Sequence, residues 1–328
     1  MSMIEVLDLT RRFGHFTAVD DISFEVNEGE IFGLLGPNGA GKTTTIRCLL
    51  TLIKPTSGLI KIAGLDVSKK AQEARHICGY VPQEVSVDGD LTGYENLLLY
   101  AKLYGVPAEE RKRRIQEALD FMEVSDRANS LVKTFSGGMM RRLEIGQVLV
   151  NRPRVLFLDE PSIGLDPAAK RMIWNYIVRL RDEFHTTILI TTHDMLEADE
   201  LCDRIAIMNG GKIAITGTPE QLKVGLGGDV VEVACAGDNC EFAVSQLGYK
   251  LLPHTHDSVF DLVANNGDTD IPRILEGLKE RGVETKAVSL KRATLDDVFL
   301  KYAGKRIAES ESDWRATKSA RRTIKRLG

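Results

Sequence analysis

A lysine and a threonine, Lys42 and Thr43, follow a glycine-rich stretch at residues 36–41, and together they form the pattern G-x-x-x-x-G-K-T. The glycines allow backbone conformations that a Cβ disfavours, so successive N–H groups can point at one anion. The ammonium of Lys42 can reach the β and γ phosphates of a nucleotide, and the hydroxyl of Thr43 can ligate Mg²⁺. The residues predicted to contact the phosphates are Gly36, Pro37, Asn38, Gly39, Ala40, Gly41, Lys42, Thr43 and Thr44.

The residues on either side of this loop provide the setting that a phosphate-binding loop requires. Residues 31–35 form an apolar run typical of a strand, and residues 44–52 are apolar at helical spacing. The positive end of the helix dipole, about half a unit charge, adds to the attraction for an anion. A glycine-rich turn beside a surface lysine is the competing interpretation, and the strand–loop–helix context disfavours it.

Two carboxylates end a later apolar run, and a histidine ends the next one. Residues 155–160 read VLFLDE, and buried acids without a partner are costly, so Asp159 and Glu160 indicate function. We predict that Asp159 holds Mg²⁺, directly or through water, and that Glu160 orients and polarises an attacking water. His193 follows the run TTILITT. A lone histidine is more often structural, but ligands bind where the strands of open α/β sheets end, which favours a functional role.

Other motifs are weaker when taken alone. Residues 135–139 read FSGGM before a helical pattern, so Ser136 is a plausible N-cap, with Gly137 and Gly138 leaving backbone N–H groups open to an anion. A capped helix without a ligand is the alternative. The rings of Phe13 and Phe16 could stack on a base, although packing in the core is the commoner use of such rings.

With these motifs in this order, the chain resembles an ATP-binding cassette ATPase, the nucleotide-binding subunit of a transporter, over residues 3 to about 223. The later part, with SGGMMRRLEIG and LDDVFL, looks like the daunorubicin-resistance type of exporter ATPase. Met139 stands where many cassettes carry Gln, which could alter contacts across a dimer. The resemblance implies an aromatic contact to ATP from Phe13, a Q-loop at Gln83, a signature at 136–138, a further loop contact from Asp166 and a switch histidine, His193.

The resemblance also implies a mechanism. Two copies pair head to tail around two ATP molecules, each held by the phosphate loop of one copy and by Ser136, Gly137 and Gly138 of the other. Water attacks the γ-phosphate in line, by positioning and charge stabilisation. The implied catalytic residues are Glu160 as the base, His193, Lys42 and Gln83, and the implied Mg²⁺ ligands are Thr43, Gln83 and Asp159.

The expected fold is α/β, a P-loop cassette core with an antiparallel β subdomain and a helical subdomain at about 84–135. We assign residues 1–225 to the cassette. Beyond it the pattern changes to strand, helix, two strands, helix, strand, with the second helix beginning near Asp270 and Pro272. This order predicts a small ferredoxin-like α+β domain at 226–304, which by resemblance is regulatory or dimerising. Two histidines in it, His254 and His256, lack a third ligand for a metal.

Charge and composition narrow the range of functions. Residues 305–328 hold eight basic and three acidic residues, a net charge of +5, which leaves −9 for the rest because the chain has −4. We predict a disordered tail, with attraction to anionic lipid as the alternative, and the acidic body argues against nucleic acid as a partner. The five cysteines lack metal-ligand spacing and are expected to be reduced thiols, namely Cys48, Cys78, Cys202, Cys235 and Cys240.

A transport motor is the leading functional hypothesis. The sequence has no apolar segment of transmembrane length and its first residues do not resemble a signal peptide, so we expect a cytosolic chain that binds the cytoplasmic face of the cell membrane through a separate permease. A drug, antibiotic or lipid-like export substrate is implied by resemblance only. The alternative is a cassette ATPase that acts on ribosomes or DNA. A GTPase switch is disfavoured, because no N-K-x-D motif is present.

Overall fold

The computed structural model describes residues 2–225, 227–236, 240–252 and 259–302. The chain divides into two compact units between Thr216 and Gly217. The strands of the first unit are β1 (Ser2–Phe13), β2 (Phe16–Asn27), β3 (Ile31–Leu35), β4 (Ser57–Ile62), β5 (Leu65–Asp66), β6 (Cys78–Val81), β7 (Val155–Asp159), β8 (Thr187–Thr192), β9 (Arg204–Asn209) and β10 (Lys212–Gly217). Its helices are α1 (Lys42–Leu49), α2 (Ala71–His76), α3 (Gly93–Leu103), α4 (Ala108–Phe121), α5 (Gly137–Leu149), α6 (Pro167–Phe184) and α7 (Met195–Leu201).

Two sheets organise the first unit. A four-stranded sheet with the order β2-β1-β4-β5 has antiparallel pairs throughout. A six-stranded sheet has the order β10-β9-β3-β8-β7-β6, and its strands from β9 to β6 are parallel neighbours. The segment between β6 and β7 is mainly helical. This arrangement confirms the predicted cassette core with an antiparallel and a helical part.

The order of the parallel strands determines where the functional residues meet. Strands β3, β8 and β7 lie side by side and are completely buried, which suits apolar runs covered on both faces. Their carboxyl ends lie at one edge of the sheet, and each is followed by a motif residue that the sequence singled out. Residues far apart in the chain are therefore brought to one place.

The second unit is a four-stranded antiparallel sheet with two main helices. Its elements are α8 (Pro219–Val224), β11 (Asp229–Ala236), α9 (Cys240–Ser245), β12 (Lys250–Leu251), β13 (Val259–Ala264), α10 (Gly267–Glu280) and β14 (Glu284–Lys291), and residues 295–302 are helical. The sheet order is β12-β13-β11-β14. From β11 to β14 the element order is the predicted one and is consistent with a ferredoxin-like domain. His254 and His256 lie outside the described residues.

Helix α10 begins earlier than predicted. Its first residue is Gly267, because the side chain of Asn266 accepts hydrogen bonds from the N–H groups of Asp268 (3.0 Å) and Thr269 (3.3 Å) and so caps the helix. Pro272 consequently lies inside the helix rather than at its start. Among the described residues of the chain, none of the helices combines the length and apolar character needed to cross a bilayer.

The cysteines differ in part from the prediction. Cys48, Cys78 and Cys202 are free and buried, as expected for reduced thiols. Cys235 and Cys240, in contrast, are joined in a disulfide, so the prediction is wrong for this pair. Cys235 lies near the end of β11 and Cys240 begins α9, and their Cα atoms are 6.2 Å apart. This Cα separation is within the range of disulfides, and the spacing of the two cysteines alone did not indicate the bond.

Candidate functional site

The phosphate loop connects β3 to α1 and contains two glycines that no other residue could replace without displacement. Gly36 has φ 156°, and a Cβ there would lie 2.4 Å from the carbonyl oxygen of Met208. Gly41 has φ 105°, and its Cβ would lie 2.5 Å from the carbonyl oxygen of Ala18. The tight approach of the loop to neighbouring backbone therefore requires glycine at both positions.

Lys42, the first residue of α1, has a buried ammonium with three partners. Its Nζ donates to the carbonyl oxygens of Gly36 (2.6 Å) and Pro37 (3.3 Å) and lies 3.2 Å from Oε1 of Glu160. The side chains of Lys42 and Glu160 are only 6% and 7% exposed. This positive charge thus lies within the loop, next to the predicted catalytic base.

Glu160 joins the ends of the parallel strands. Its Oε2 lies 2.7 Å from Nδ1 of His193, and its backbone N–H donates to the carbonyl of Thr191 (3.0 Å) on β8. The backbone of Glu160 has φ 51°, a left-handed conformation that is costly for a residue with a side chain. Such conformations concentrate at functional sites, and here it directs the carboxylate between Lys42 and His193.

Asp159, the last residue of β7, is surrounded by oxygen-bearing side chains. It accepts hydrogen bonds from the hydroxyls of Thr43 (3.1 Å) and Thr191. Burial, followed by the nearby Asp159 carboxylate, raises the pKa of Tyr80 to about 12, so this phenol remains a hydrogen-bond donor. Thr191 and Tyr80 were not among the predicted site residues. They lie within β8 and β6, and only the lateral pairing of those strands with β7 places them here.

A cavity of about 350 Å³ opens at the phosphate loop. Its lining contains the predicted loop residues from Pro37 to Thr44, together with Gln83 and Glu160. Phe16 contributes a ring to this wall, whereas Phe13 does not line the cavity and lies instead under the guanidinium of Arg11, 4.2 Å from its ring centre. The proposed base contact of Phe13 stays a prediction.

Ser136 and Asp166 each cap the start of a helix. The hydroxyl of Ser136 accepts a hydrogen bond from the N–H of Met139 (3.3 Å) at the start of α5, as predicted. Asp166 accepts from the N–H groups of Ala168 and Ala169, both at 3.0 Å, at the start of α6. Ser136 and Gly137 are exposed and do not line the cavity described above. Their predicted contacts to a nucleotide therefore require a second copy.

Comparison with known proteins identifies the family of the chain. The ABC transporter family model matches residues 19–163, and the model of the DrrA1-3-like ATP-binding protein C-terminal domain matches residues 217–303. The daunorubicin resistance ATP-binding protein DrrA3 of Streptomyces coeruleorubidus is 36% identical over 90% of this chain and 93% of its own length. The Nod factor export ATP-binding protein I of Ralstonia nicotianae is 38% identical over 94% and 95%, respectively.

Solved structures show the same cassette. The ATP-binding cassette MJ0796, in a dimeric post-hydrolysis state bound to ADP and phosphate, is 26% identical. It aligns with a TM-score of 0.60 over 66% of this chain and 98% of that one. The alignment supports the cassette fold of the first unit.

Proposed function

Because this chain belongs to the ATP-binding proteins of ABC transporters, with relatives of the daunorubicin-resistance type, we propose that it is the ATP-hydrolysing motor of an exporter and acts with a separate transmembrane permease. The single observation that carries the catalytic part is the line of contacts from Lys42 to Glu160 (3.2 Å) and from Glu160 to His193 (2.7 Å) beside the phosphate loop. Lys42 is the first residue of α1, and Glu160 and His193 directly follow the neighbouring parallel strands β7 and β8.

Hydrolysis requires one proton acceptor and stabilisation of charge on the phosphates. In the proposed reaction Glu160 takes a proton from a water whose oxygen attacks the γ-phosphorus. The bond from that phosphorus to the β–γ bridging oxygen then breaks, and ADP leaves. Lys42 stabilises the charge that develops on the phosphate oxygens. His193 holds the Glu160 carboxylate in place from the side opposite Lys42.

A Mg²⁺ site fits the donors beside the loop. The Asp159 carboxylate and the Thr43 hydroxyl lie 3.1 Å apart, and Gln83 lines the same cavity. Carboxylate, hydroxyl and amide oxygens are the ligands that a hard divalent cation prefers. When bound, the ion would neutralise charge on the β and γ phosphates. We propose that Thr43, Asp159 and Gln83 would hold the ion, directly or through water.

A head-to-tail homodimer would complete the site. Ser136 and Gly137 are exposed at the start of α5 and do not line the chain's own cavity, and Asp166 caps the start of α6. The dimeric state of the related cassette supports a closed pair in which this segment faces the partner's ATP. Phe13 and Asp166 are proposed as further contacts to ATP in that pair.

The two relatives described above are named for drug resistance and for Nod factor export. They favour a role in export over a role on ribosomes or DNA. We therefore propose a drug, antibiotic or lipid-like substrate and peripheral binding at the cytoplasmic face of the cell membrane through the permease. The second unit is proposed as an accessory regulatory or dimerising domain, with the cassette at 1–225 and this domain at 226–304.

Two measurements test the proposal. The purified chain should hydrolyse ATP in the presence of Mg²⁺, and the absence of turnover would refute the catalytic part. When a tagged chain is expressed together with a candidate permease from a neighbouring gene, it should co-purify with the membrane fraction, and expression without that protein is the control. Retention that does not depend on the neighbouring protein would refute the proposed permease partner.

A further inference from the structure

Arg141 lies on α5, five residues after Ser136, and is buried with 5% exposure. A guanidinium has five N–H donors, and each of the five N–H donors of Arg141 has an acceptor. Nε donates to the carbonyl of Pro161 (2.8 Å), Nη1 to the carbonyl of Pro82 (2.7 Å) and to Oε2 of Glu144 (3.0 Å), and Nη2 to the carbonyls of Asp159 (3.2 Å) and Glu160 (3.3 Å).

Glu144 extends this network to the Q-loop segment. It lies one turn later on α5, is 1% exposed, and its second oxygen accepts from the N–H (2.5 Å) and the hydroxyl (2.9 Å) of Ser86. The Arg141–Glu144 pair thus connects residues 82–86 to the backbone of residues 159–161. We call this buried pair and its acceptors the brace.

Stability alone is a weak explanation for the brace. Removing two charges from water costs several kcal/mol per ion, and an apolar pair of similar volume is often as stable. What the brace contacts is more informative, because three of its five acceptors are consecutive carbonyls around Glu160. The peptide before Glu160 and the peptide after it are both held, and the residue between them has the left-handed φ of 51°.

We propose that Arg141 and Glu144 are positioning residues that hold the Glu160 backbone in its strained conformation and so aim the carboxylate at the attacking water. Neither residue touches the phosphate loop cavity, so they act through Glu160. The inference rests on the proposed function of Glu160 as the base. It also links that base to the Q-loop segment, so a displacement of residues 82–86 would move the catalytic carboxylate.

The conservative variants Arg141→Lys and Glu144→Gln test this in the full-length chain. Lysine keeps the charge but has three donors instead of five, so the carbonyls of residues 159–161 lose part of their support. We expect kcat to fall by about 10- to 100-fold, as for a misplaced catalytic group, with KM within about threefold of wild type. Arg142→Lys is the matched control, because Arg142 donates to the carbonyls of Met122 (3.1 Å) and Glu123 (3.0 Å) rather than to those of residues 159–161.

A double variant separates positioning from a merely structural role. If Arg141 acts through Glu160, then Arg141→Lys should reduce the residual turnover of Glu160→Gln by no more than about twofold, since groups that act as a unit are non-additive. Three results would overturn the inference. Arg141→Lys could reduce turnover equally in the wild-type and Glu160→Gln backgrounds, or a rise of KM could account for the lost activity. A lowered melting temperature that accounts for the lost activity would be the third.

Failure of the inference is distinguishable from failure of the proposed function. A wild-type chain that does not hydrolyse ATP would refute the function and, with it, the inference. A wild-type chain with normal turnover, together with unchanged kcat in Arg141→Lys and Glu144→Gln, would refute the brace alone.

Discussion

Replacing Glu160 by Gln is the most informative single change at this site, because it removes one negative charge while keeping the shape of the side chain. Two contacts are affected. Oε1 lies 3.2 Å from the ammonium of Lys42, and Oε2 lies 2.7 Å from Nδ1 of His193. The variant lacks the proposed proton acceptor for water, and Lys42 loses its buried anionic partner.

The two losses have opposite consequences for binding and turnover. A general base contributes about 10²- to 10⁴-fold, so kcat should fall by that factor. At 3.2 Å and an effective dielectric constant of about 20, the pair attracts by about 5 kcal/mol before desolvation is counted. The cost of desolvating the two charged groups offsets most of this attraction. We expect a net effect on ATP binding of about 1.4 kcal/mol, which corresponds to a tenfold change in affinity. Because a triphosphate competes with Glu160 for the ammonium, the Kd for ATP should fall about tenfold.

The assay pairs equilibrium binding of ATP with single-turnover hydrolysis, both with Mg²⁺, on the wild type and on Glu160→Gln. Glu183→Gln is the matched control, since Glu183 is 49% exposed on α6 and pairs with Arg179 on the same helix. Both quantities should stay within about twofold of wild type in the control, because exposed ion pairs contribute little.

Two results would refute the reasoning separately. Turnover of the Gln variant within about threefold of wild type would remove Glu160 from the role of base. A large loss of turnover with an unchanged or raised Kd would leave the base in place but show that Glu160 does not compete with phosphate for Lys42.

Three further expectations follow from the same contacts. The Gly41→Ala variant should have a melting temperature several degrees below that of Gly39→Ala. A Cβ on residue 41 would lie 2.5 Å from the carbonyl oxygen of Ala18, whereas a Cβ on residue 39 would meet nothing within 4 Å. Equal melting temperatures would contradict this. Thr43→Ala should need more Mg²⁺ for half-maximal hydrolysis, and Thr43→Ser should not. Burial raises the pKa of Glu197 above its usual 4.5. Above about pH 4.5 the unfolded chain therefore releases this proton while the folded chain still holds it. As the pH rises further, Glu197 lowers the free energy of unfolding. The free energy of unfolding of Glu197→Gln relative to wild type should therefore rise with pH, and a constant difference would contradict the assignment.

The parts of the fold that could be predicted are those with local signals. The phosphate loop carries its own residue types, and the mainly apolar runs of β3, β7 and β8 indicate buried strands. The two acids at the end of β7 are conspicuous because such charges need a partner. The same holds for Ser136, whose position before a helical pattern predicts the cap that the structure shows.

Contacts between residues of neighbouring elements could not be predicted from local sequence patterns. Tyr80 and Thr191 lie near Asp159 only because β6 and β8 are the neighbours of β7. The disulfide of Cys235 with Cys240 likewise joins residues of two different elements, β11 and α9. In each case the residue type was visible, but its partner was set by the arrangement of the elements.

Arg141 shows why the functional residues of this site extend beyond its motifs. In the sequence it is one of two adjacent arginines, Arg141 and Arg142, and helical spacing predicts one to be exposed and does not say which. The structure buries Arg141 on the backbone of residues 159–161 and places Arg142 against the end of α4. Because carbonyl oxygens carry no side-chain identity, no pattern of residue types could have indicated those acceptors. The strained backbone of Glu160 and the five-donor guanidinium explain one another, and either would be costly without the other.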